Sequence, residues 1–587
     1  MKFAKRTHTC GALRESDVGS TVTLNGWVHS RRDLGGLIFI DLRDRYGKTQ
    51  VVFNPETGKD AHATARNLRS EFVVSVTGVL HKRPAGSENP AMPTGMVDLH
   101  ATGLTILSAS ETPPFAIDDA GDVGEDLRLK YRYLDLRRPG LQWPLLFRHS
   151  LYQVVHRYFD ALGFAEVETP MLMKSTPEGA RDYLVPSRVH RGKFYALPQS
   201  PQTYKQLLMV AGFDRYVQIV KCFRDEDLRA DRQPEFTQID MEMSFVDESD
   251  IWSVTEGLMK QIFSELKGIA IDTPIPRMTY REAMEQYGSD KPDTRFDMKF
   301  CTITDLVKDS GFKVFADVAA GGGVVAGFVV PDAASFSRSQ IDALVAMSKE
   351  LGAGGLAYFK WTDKGIESPI TKFLGQELVE SIAATAGARQ GDLMLFVSDT
   401  WKKCYPVLGA LRLHLGRSLK LIDEKQFKLL WVTDFPLFEY SEEEKRYVSV
   451  HHPFTSPHPD DLDKIESAQG EVRARAYDLV LNGSEIAGGS IRIHDSALQQ
   501  RVFKLLGLSD EDAQRKFGFL LNAFRYGAPP HGGIAFGFDR IAMLLTGMKS
   551  IRDVIAFPKT ASAVSLMDES PGGVDDHQLK ELHIRIV

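Results

Sequence analysis

Residues 235–246, EFTQIDMEMSFV, alternate in the manner of a strand. Thr237, Ile239, Met241, Met243 and Phe245 fall on one face, and Gln238, Asp240 and Glu242 on the other. Two carboxylates and an amide on one face cannot all be closed over by an apolar core, so this face borders solvent or a polar cavity. The preceding stretch, SPQTYKQLLMVAG, reads as a helix. Ser200 is its N-cap, Pro201 its first residue and Gly212 its end. Gln202 and Lys205, three apart, share a helix face. Tyr216 to Phe223 is apolar enough for a second strand. Between the strands lies FRDEDLRADRQPEF, with three arginines and five acids in fourteen residues. A solvated hairpin tip is the ordinary reading of such a loop. A polar sheet face under a charged flap suits a polyanionic ligand better.

A chain of 587 residues holds several domains. It has no run of eighteen apolar residues, and MKFAKRTHTC has no apolar leader core, so a cytoplasmic protein without membrane insertion is expected. Cys10, Cys222, Cys301 and Cys404 form no CxxC pair, which argues against a zinc site or a disulfide framework. The net charge of −7 disfavours general nucleic-acid binding. Residues 1–83, however, carry 14 Lys/Arg against 8 Asp/Glu, a basic first domain suited to local RNA contact.

Residues 1–108 hold five short strand signals with a helical segment, HATARNLRS, between the third and fourth. That order is the order of an OB-fold barrel, which commonly binds single-stranded nucleic acid. There Phe39 would stack on a base and Arg32 and Gln50 would read base edges; the alternative for Phe39 is a place in the barrel core. Residues 109–140 form a hinge whose Arg128, Arg132, Arg137 and Arg138 either touch an RNA backbone or line a solvated helix. Residues 281–420 read as a separate α/β module. Its Gly321–Gly323 run lacks the Lys-Ser/Thr of a phosphate loop. HHP at 451–453 lacks the i, i+4 spacing of a helical metal pair. YDLVLNGSEIAGGSIRIHD (477–495) is a hairpin about an Asn-Gly turn, with Asp478 and Glu485 on facing strands and Arg492 beyond them. Arg540 opens the last helix, a position suited to polyphosphate.

FRDED…RQPEFTQID resembles the second signature motif of class II aminoacyl-tRNA synthetases, and QSPQ…KQ resembles their aspartyl/asparaginyl/lysyl branch. GFAEVETPML (163–172) is similar to the first motif and GIAFGFDRIAML (533–544) to the third. STPEGARDYLVP (175–186) and GGSIRIH (488–494) resemble the aspartate-specific segments of bacterial members. The resemblance runs from about residue 3 to about 565. It implies an α+β multidomain protein: an OB-fold anticodon-binding domain (1–108), a hinge (109–140), a catalytic domain on an antiparallel sheet (141–280 and 421–565), a bacterial-type insertion (281–420) and a C-terminal extension (566–587). It also implies a homodimer.

The implied reaction joins L-aspartate to ATP, releases pyrophosphate and passes aspartate to the 3′ end of tRNA(Asp). Such chemistry needs alignment and charge stabilisation, not a protein nucleophile. The resemblance assigns Arg224 to the α-phosphate and Arg540 to the γ-phosphate. Asp225, Glu226, Gln233, Gly537, Phe538 and Asp539 complete the ATP site. Asp478 and Glu485 are the Mg²⁺ ligands, Glu485 counting with Arg224 and Arg540 as catalytic. Glu178, Ser200, Gln202, Lys205, Arg224, Asp240, His451 and Arg492 bind aspartate. Lys205 and Arg492 are expected to enclose the side-chain carboxylate with two cations that asparagine would leave unpaired; the alternative for Arg492 is a salt bridge to Asp495 or Glu485. Leu34 resembles enzymes that charge tRNA(Asp) alone, whereas the loop about Gly86 resembles enzymes that also charge tRNA(Asn). An ammonia-dependent asparagine synthetase on the same catalytic domain would lack the barrel. A catalytically dead RNA-binding regulator would not need Arg224, Glu485, Arg492 and Arg540 together.

Overall fold

The structure is a computed structural model and describes residues 3–119, 121–176, 180–228 and 231–586. It falls into two compact units: Met1–His149 with Leu228–Gln233 and Thr546–Val574, and Ser150–Asp227 with Pro234–Leu545 and Asp575–Val587.

In the first unit, strands Thr21–Leu34, Leu37–Asp44, Gly47–Phe53, Val73–Lys82 and Val97–Ser108 close into a barrel in the order first, second, third, fifth, fourth. Closure leaves no sheet edge to aggregate. Helix Lys59–Ala65 stands between the third and fourth strands, starting a little before the stretch expected from sequence. Val22, Leu24, Val28, Ile38, Ile40 and Leu42 fill the interior. Phe39 lies between Ile38 and Ile40 and is half-buried on the outer face, so it is not a core residue.

The hinge arginines have a structural task. The Asp135 carboxylate is fully buried and receives Arg128 at 3.1 Å, Arg132 at 2.9 Å and Arg138 at 3.3 Å. Arg132 also donates to the carbonyls of Arg552 and Ile555, both at 3.0 Å, and of Ala556 at 2.9 Å. Arg137 reaches Glu71 at 2.8 Å and lies over Trp27. The sequence leaves these four arginines between an RNA contact and a solvated helix face; in the structure their charges neutralise buried carboxylates and cap a chain turn. Those bonds also explain why Thr546–Val574 groups with the first unit, although part of that stretch reads as catalytic domain in the sequence.

The second unit is built on an eight-stranded sheet. Its order is Arg277–Thr279, Leu429–Thr433, Ala476–Leu481, Ser484–Ile491, His531–Gly537, Glu235–Ser244, Arg215–Phe223 and Ala165–Glu166. The interior pairs are antiparallel and only the two edge pairs are parallel. The same unit contains a five-stranded sheet between residues 301 and 399, with helices such as Arg338–Glu350 and Trp401–Ser418 packed on it. Gly321–Gly323 close the end of helix Lys313–Ala320, Gly322 at φ +74°, and form no phosphate loop. Among the described residues no helix is long and apolar enough to cross a membrane.

The Asp135 hub makes a stability prediction. Asp135→Ala leaves buried guanidinium groups without their counter-charge and should cost about 3–5 kcal/mol. Arg128→Ala, whose side chain is a quarter exposed, should cost about 1 kcal/mol or less. Equal urea midpoints for the two variants would refute the hub.

Candidate active site

The sheet's middle strands and one helix deliver the charges. Helix Gln202–Val210 begins one residue later than the sequence suggests, with Pro201 at its cap. The Ser200 hydroxyl still accepts from the Gln202 N–H at 3.3 Å. Gln202 and Lys205 are buried on the face that meets strand Glu235–Ser244. Lys205 Nζ stands 2.9 Å from Asp240 and 3.1 Å from Glu242. Arg492 grips Glu242 with two hydrogen bonds, 2.8 and 3.0 Å, and donates to Ser490 at 2.6 Å and His452 Nε2 at 2.7 Å. Gly533 makes this approach possible, because a Cβ there would collide with the Glu242 carboxylate and the Met241 carbonyl.

All four charged side chains are at most 2% exposed. Burial alone would raise the Glu242 carboxyl, but Arg492 and then Lys205 outweigh it and hold the group down at about 2. Burial prevails at Asp240, which is pushed up to about 6 against the pull of Lys205. Asp240 is close to Lys205, yet neither of its oxygens receives a well-directed hydrogen bond, so it retains acceptor capacity for a ligand. Gln202 Nε2 and His451 Nδ1 are likewise buried without a partner. Burial, and then Arg492, lowers His451 to about 4 and holds His452 well below the usual imidazole range.

Two expectations change here. Lys205 and Arg492 are not free cations awaiting a carboxylate, because Asp240 and Glu242 already balance them. Nor does Arg492 bridge to Asp495 or Glu485: it bonds Glu242, in phase with Asp240 on the polar strand face but given no role in the sequence reading. Four of the five guanidinium N–H groups are taken, and what remains of both cations is donor-only. A carboxylate satisfies such donors, whereas an amide turned toward them presents N–H against N–H. His452, not His451, bonds Arg492. Two adjacent histidines leave the sequence with no means of choosing between them.

The paired carboxylates lie on one hairpin. A Cβ added to Gly488 would stand 2.8 Å from Asp478 Oδ1 and 3.5 Å from Glu485 Oε1, so both oxygens converge over a residue without a side chain. Among the described residues no cation lies within ion-pair distance of either carboxylate. Burial, and then the Glu485 charge, raise Asp478 well above the usual carboxylate range. A hard divalent cation fits this pair.

The other expected residues are spread more widely. The Arg224 guanidinium lies over the Phe236 ring at 5.1 Å. Arg540 donates to the Glu485 carbonyl at the start of helix Phe538–Thr546. Gly537 ends the neighbouring strand, and Glu226 is half-buried in the charged loop. Asp225 pairs with Arg181 through the backbone at 3.1 Å. Gln199, which the sequence did not single out, holds that segment by bonding Ala180 and Asp182 at 2.8 and 2.5 Å. Glu178 lies outside the described residues.

Three expected nucleotide contacts have different surroundings. The Phe538 ring is fully buried, 4.3 Å from that of Tyr152. Asp539 accepts the Thr237 N–H at 2.7 Å. Gln233 belongs to the first unit, where its amide bonds the Lys559 backbone in both directions at 2.8 and 3.0 Å. Each of the three is engaged in a ring contact or a backbone bond. On the barrel, Arg32 and Leu34 are exposed, Gln50 is half-buried, and Gly86 sits at φ +87° in an open loop.

The family model for class II tRNA synthetases (D, K and N) matches residues 124–561, and one for an OB-fold nucleic acid binding domain matches 22–107. The chain is 56% identical to an aspartate–tRNA(Asp/Asn) ligase of Geotalea uraniireducens, over 99% of this chain and 98% of that protein. It is also 56% identical to an aspartate–tRNA ligase of Macrococcus caseolyticus, with the same coverage. The solved asparaginyl-tRNA synthetase of Pyrococcus horikoshii shares its fold at a TM-score of 0.60 and 18% identity, over 95% of this chain and 99% of that one. The chain belongs to the class II tRNA synthetases of the D, K and N group, and within them to the aspartate–tRNA ligases.

Proposed function

We propose that this aspartate–tRNA ligase divides its reaction between the two sets of buried charge just described. The observation that carries the proposal is the neutral, desolvated quartet Lys205–Asp240–Glu242–Arg492. Lys205 and Arg492 receive the side-chain carboxylate of aspartate through their remaining N–H donors. Asp240 takes the α-ammonium, with Gln202, Ser200, His451 and Glu178 around the same substrate. Donor-only groups in a dry site reject asparagine by leaving polar groups unpaired, a mismatch that costs on the order of 10⁴-fold.

Arg224 holds the α-phosphate as the aspartate carboxylate attacks it, and Arg540 holds the γ-phosphate end. Both stabilise charge that builds as pyrophosphate leaves. Asp478 and Glu485 would hold Mg²⁺, which supplies charge neutralisation at the phosphates. Glu226, Asp225 and Gly537 stand on the segments that border the nucleotide. The barrel receives the anticodon through Arg32, Phe39 and Gln50. The place of work is the cytoplasm, in keeping with four free cysteines.

The protein works as a homodimer, a reading supported by the edge of the sheet. Helix Pro139–Ala161 and strands Ala165–Glu166 and Arg215–Phe223 line a groove of about 350 Å³ with Val155, Phe159, Phe164 and Val217. A second copy is its natural cover, and a single-chain mass by sedimentation at micromolar concentration would remove this assignment.

A second reading, charging of tRNA(Asn) as well, is supported by relatives of 54–56% identity named as aspartate–tRNA(Asp/Asn) ligases. Aspartylation of separately purified tRNA(Asp) and tRNA(Asn) decides it. Charging of tRNA(Asp) alone assigns the narrow enzyme, charging of both the broad one, and charging of neither overturns the ligase reading.

Asp240 gives the pH dependence. With its carboxyl raised to about 6, it is charged at pH 7 and becomes neutral as the pH falls through that value. Its hold on the α-ammonium then weakens, so kcat/KM for aspartate in ATP–pyrophosphate exchange should fall up to about tenfold per pH unit below the transition. Asp240→Asn should be weak at every pH and show no such step. A wild-type profile flat from pH 7 to 5 would refute the assignment.

A further inference from the structure

We infer that His29 and Lys48, on the outer face of the barrel, form a seat for a backbone phosphate of the bound tRNA, with Arg43 as its positioning residue. The inference rests on the reading of the barrel as the anticodon-binding domain.

Strand register places the group. Arg32 pairs with Phe39, Asp41 with Gln50, and Arg43 with Lys48. Phe39, Asp41 and Arg43 alternate along one strand and so share a face. Arg43 and Lys48 therefore continue the face that carries Arg32, Phe39 and Gln50, about 13 Å along the strand from Phe39. His29 joins them at a bulge between Val28 and Ser30.

This arrangement is unfavourable as it stands. Arg43 and Lys48 are like charges directly opposite each other, which destabilises a strand pair. His29 lies between them, its Nδ1 3.0 Å from Arg43 Nη1 and its Nε2 2.9 Å from Lys48 Nζ. Both cations are donors only. Arg43 is nearly buried and fixed on Glu71 at 2.9 Å, so His29 Nδ1 must accept from it. The neutral ring then carries its proton on Nε2, pointing at the Lys48 ammonium, and two donors face each other.

The nearby carboxylates are already engaged and do not relieve this contact. Glu71 is shared by Arg43 and Arg137. Asp41 accepts from Ser30 at 2.6 Å and stands 3.8 Å from Arg32. Among the described residues Lys48 has no carboxylate within ion-pair distance. An anion that accepts from His29 Nε2–H and from Lys48 together removes the conflict, and a phosphate oxygen has that chemistry. RNA bound across Phe39 and Gln50 carries phosphates along this stripe.

The test uses the full-length enzyme, a tRNA(Asp) transcript, and the variants Lys48→Gln and His29→Phe, both at partly exposed positions. Loss of the Lys48 contact should reduce the slope of log K against log salt by roughly 0.7–0.9 and weaken tRNA binding about three- to tenfold. The effect should fall on the KM for tRNA and not on kcat. His29→Phe should weaken binding without changing the slope by a full contact. Ethylation of tRNA phosphates should identify a position in the anticodon arm where modification harms the wild type but no longer matters to Lys48→Gln. Charging of tRNA(Asp) by the wild type establishes the underlying reading separately. With that charging intact, wild-type affinities and salt slopes in both variants would overturn the seat.

Discussion

Four ionised groups with almost no access to water sit at the centre of the catalytic sheet, and each depends on the others for its charge. Removing any one of Lys205, Asp240, Glu242 or Arg492 would leave a buried ion without compensation, a far larger penalty than losing the pair as a whole. The surrounding structure is arranged to keep the four together. A neighbouring strand supplies Gly533, so that the Glu242 carboxylate approaches where a Cβ would obstruct it. The helix beside the sheet presents Lys205 inward, against the usual preference of lysine for solvent. Ser490 and His452 then fix the second end of the guanidinium.

A neutral quartet and an unbalanced carboxylate pair are suited to different partners. In the quartet, charge is internally cancelled, and what remains is a pattern of donors and acceptors. Such a pattern selects by hydrogen-bond matching between ligands of nearly equal shape. Asp478 and Glu485 have the opposite character: two like charges, one driven toward neutrality by burial and by the other, with no cation within ion-pair distance among the described residues. That is the electrostatic condition under which a divalent ion binds in place of protons. The two arrangements fit one reaction, in which an amino acid must be distinguished and a polyphosphate must be neutralised.

The first unit applies the same physics to architecture. Asp135 gathers three guanidinium groups, one of which also satisfies three carbonyls at the turn around Ile551–Val554. Arg43 and Arg137 meet on Glu71 in a similar way. Arginine suits these positions because its planar fork bonds several acceptors at once. A run of arginines in sequence therefore has two meanings, a nucleic-acid surface or an internal brace, and only the position of the acids separates them.

The sequence by itself determined the elements and much of the site's membership. Alternation along 235–246 placed Asp240 and Glu242 on one polar face, the three-residue spacing placed Gln202 and Lys205 on one helix face, and the separated signature motifs identified the family. These are local properties, set by the two-residue period of a strand and the 3.6-residue period of a helix. The tertiary structure decided what each charge is paired with. It joined Arg492 to Glu242 across 250 residues, turned Gln233 and Asp539 to backbone anchoring, and directed four hinge arginines inward. Pairing of this kind depends on which distant carboxylate arrives within hydrogen-bond reach in a space that excludes water, and residue spacing along the chain does not encode that distance.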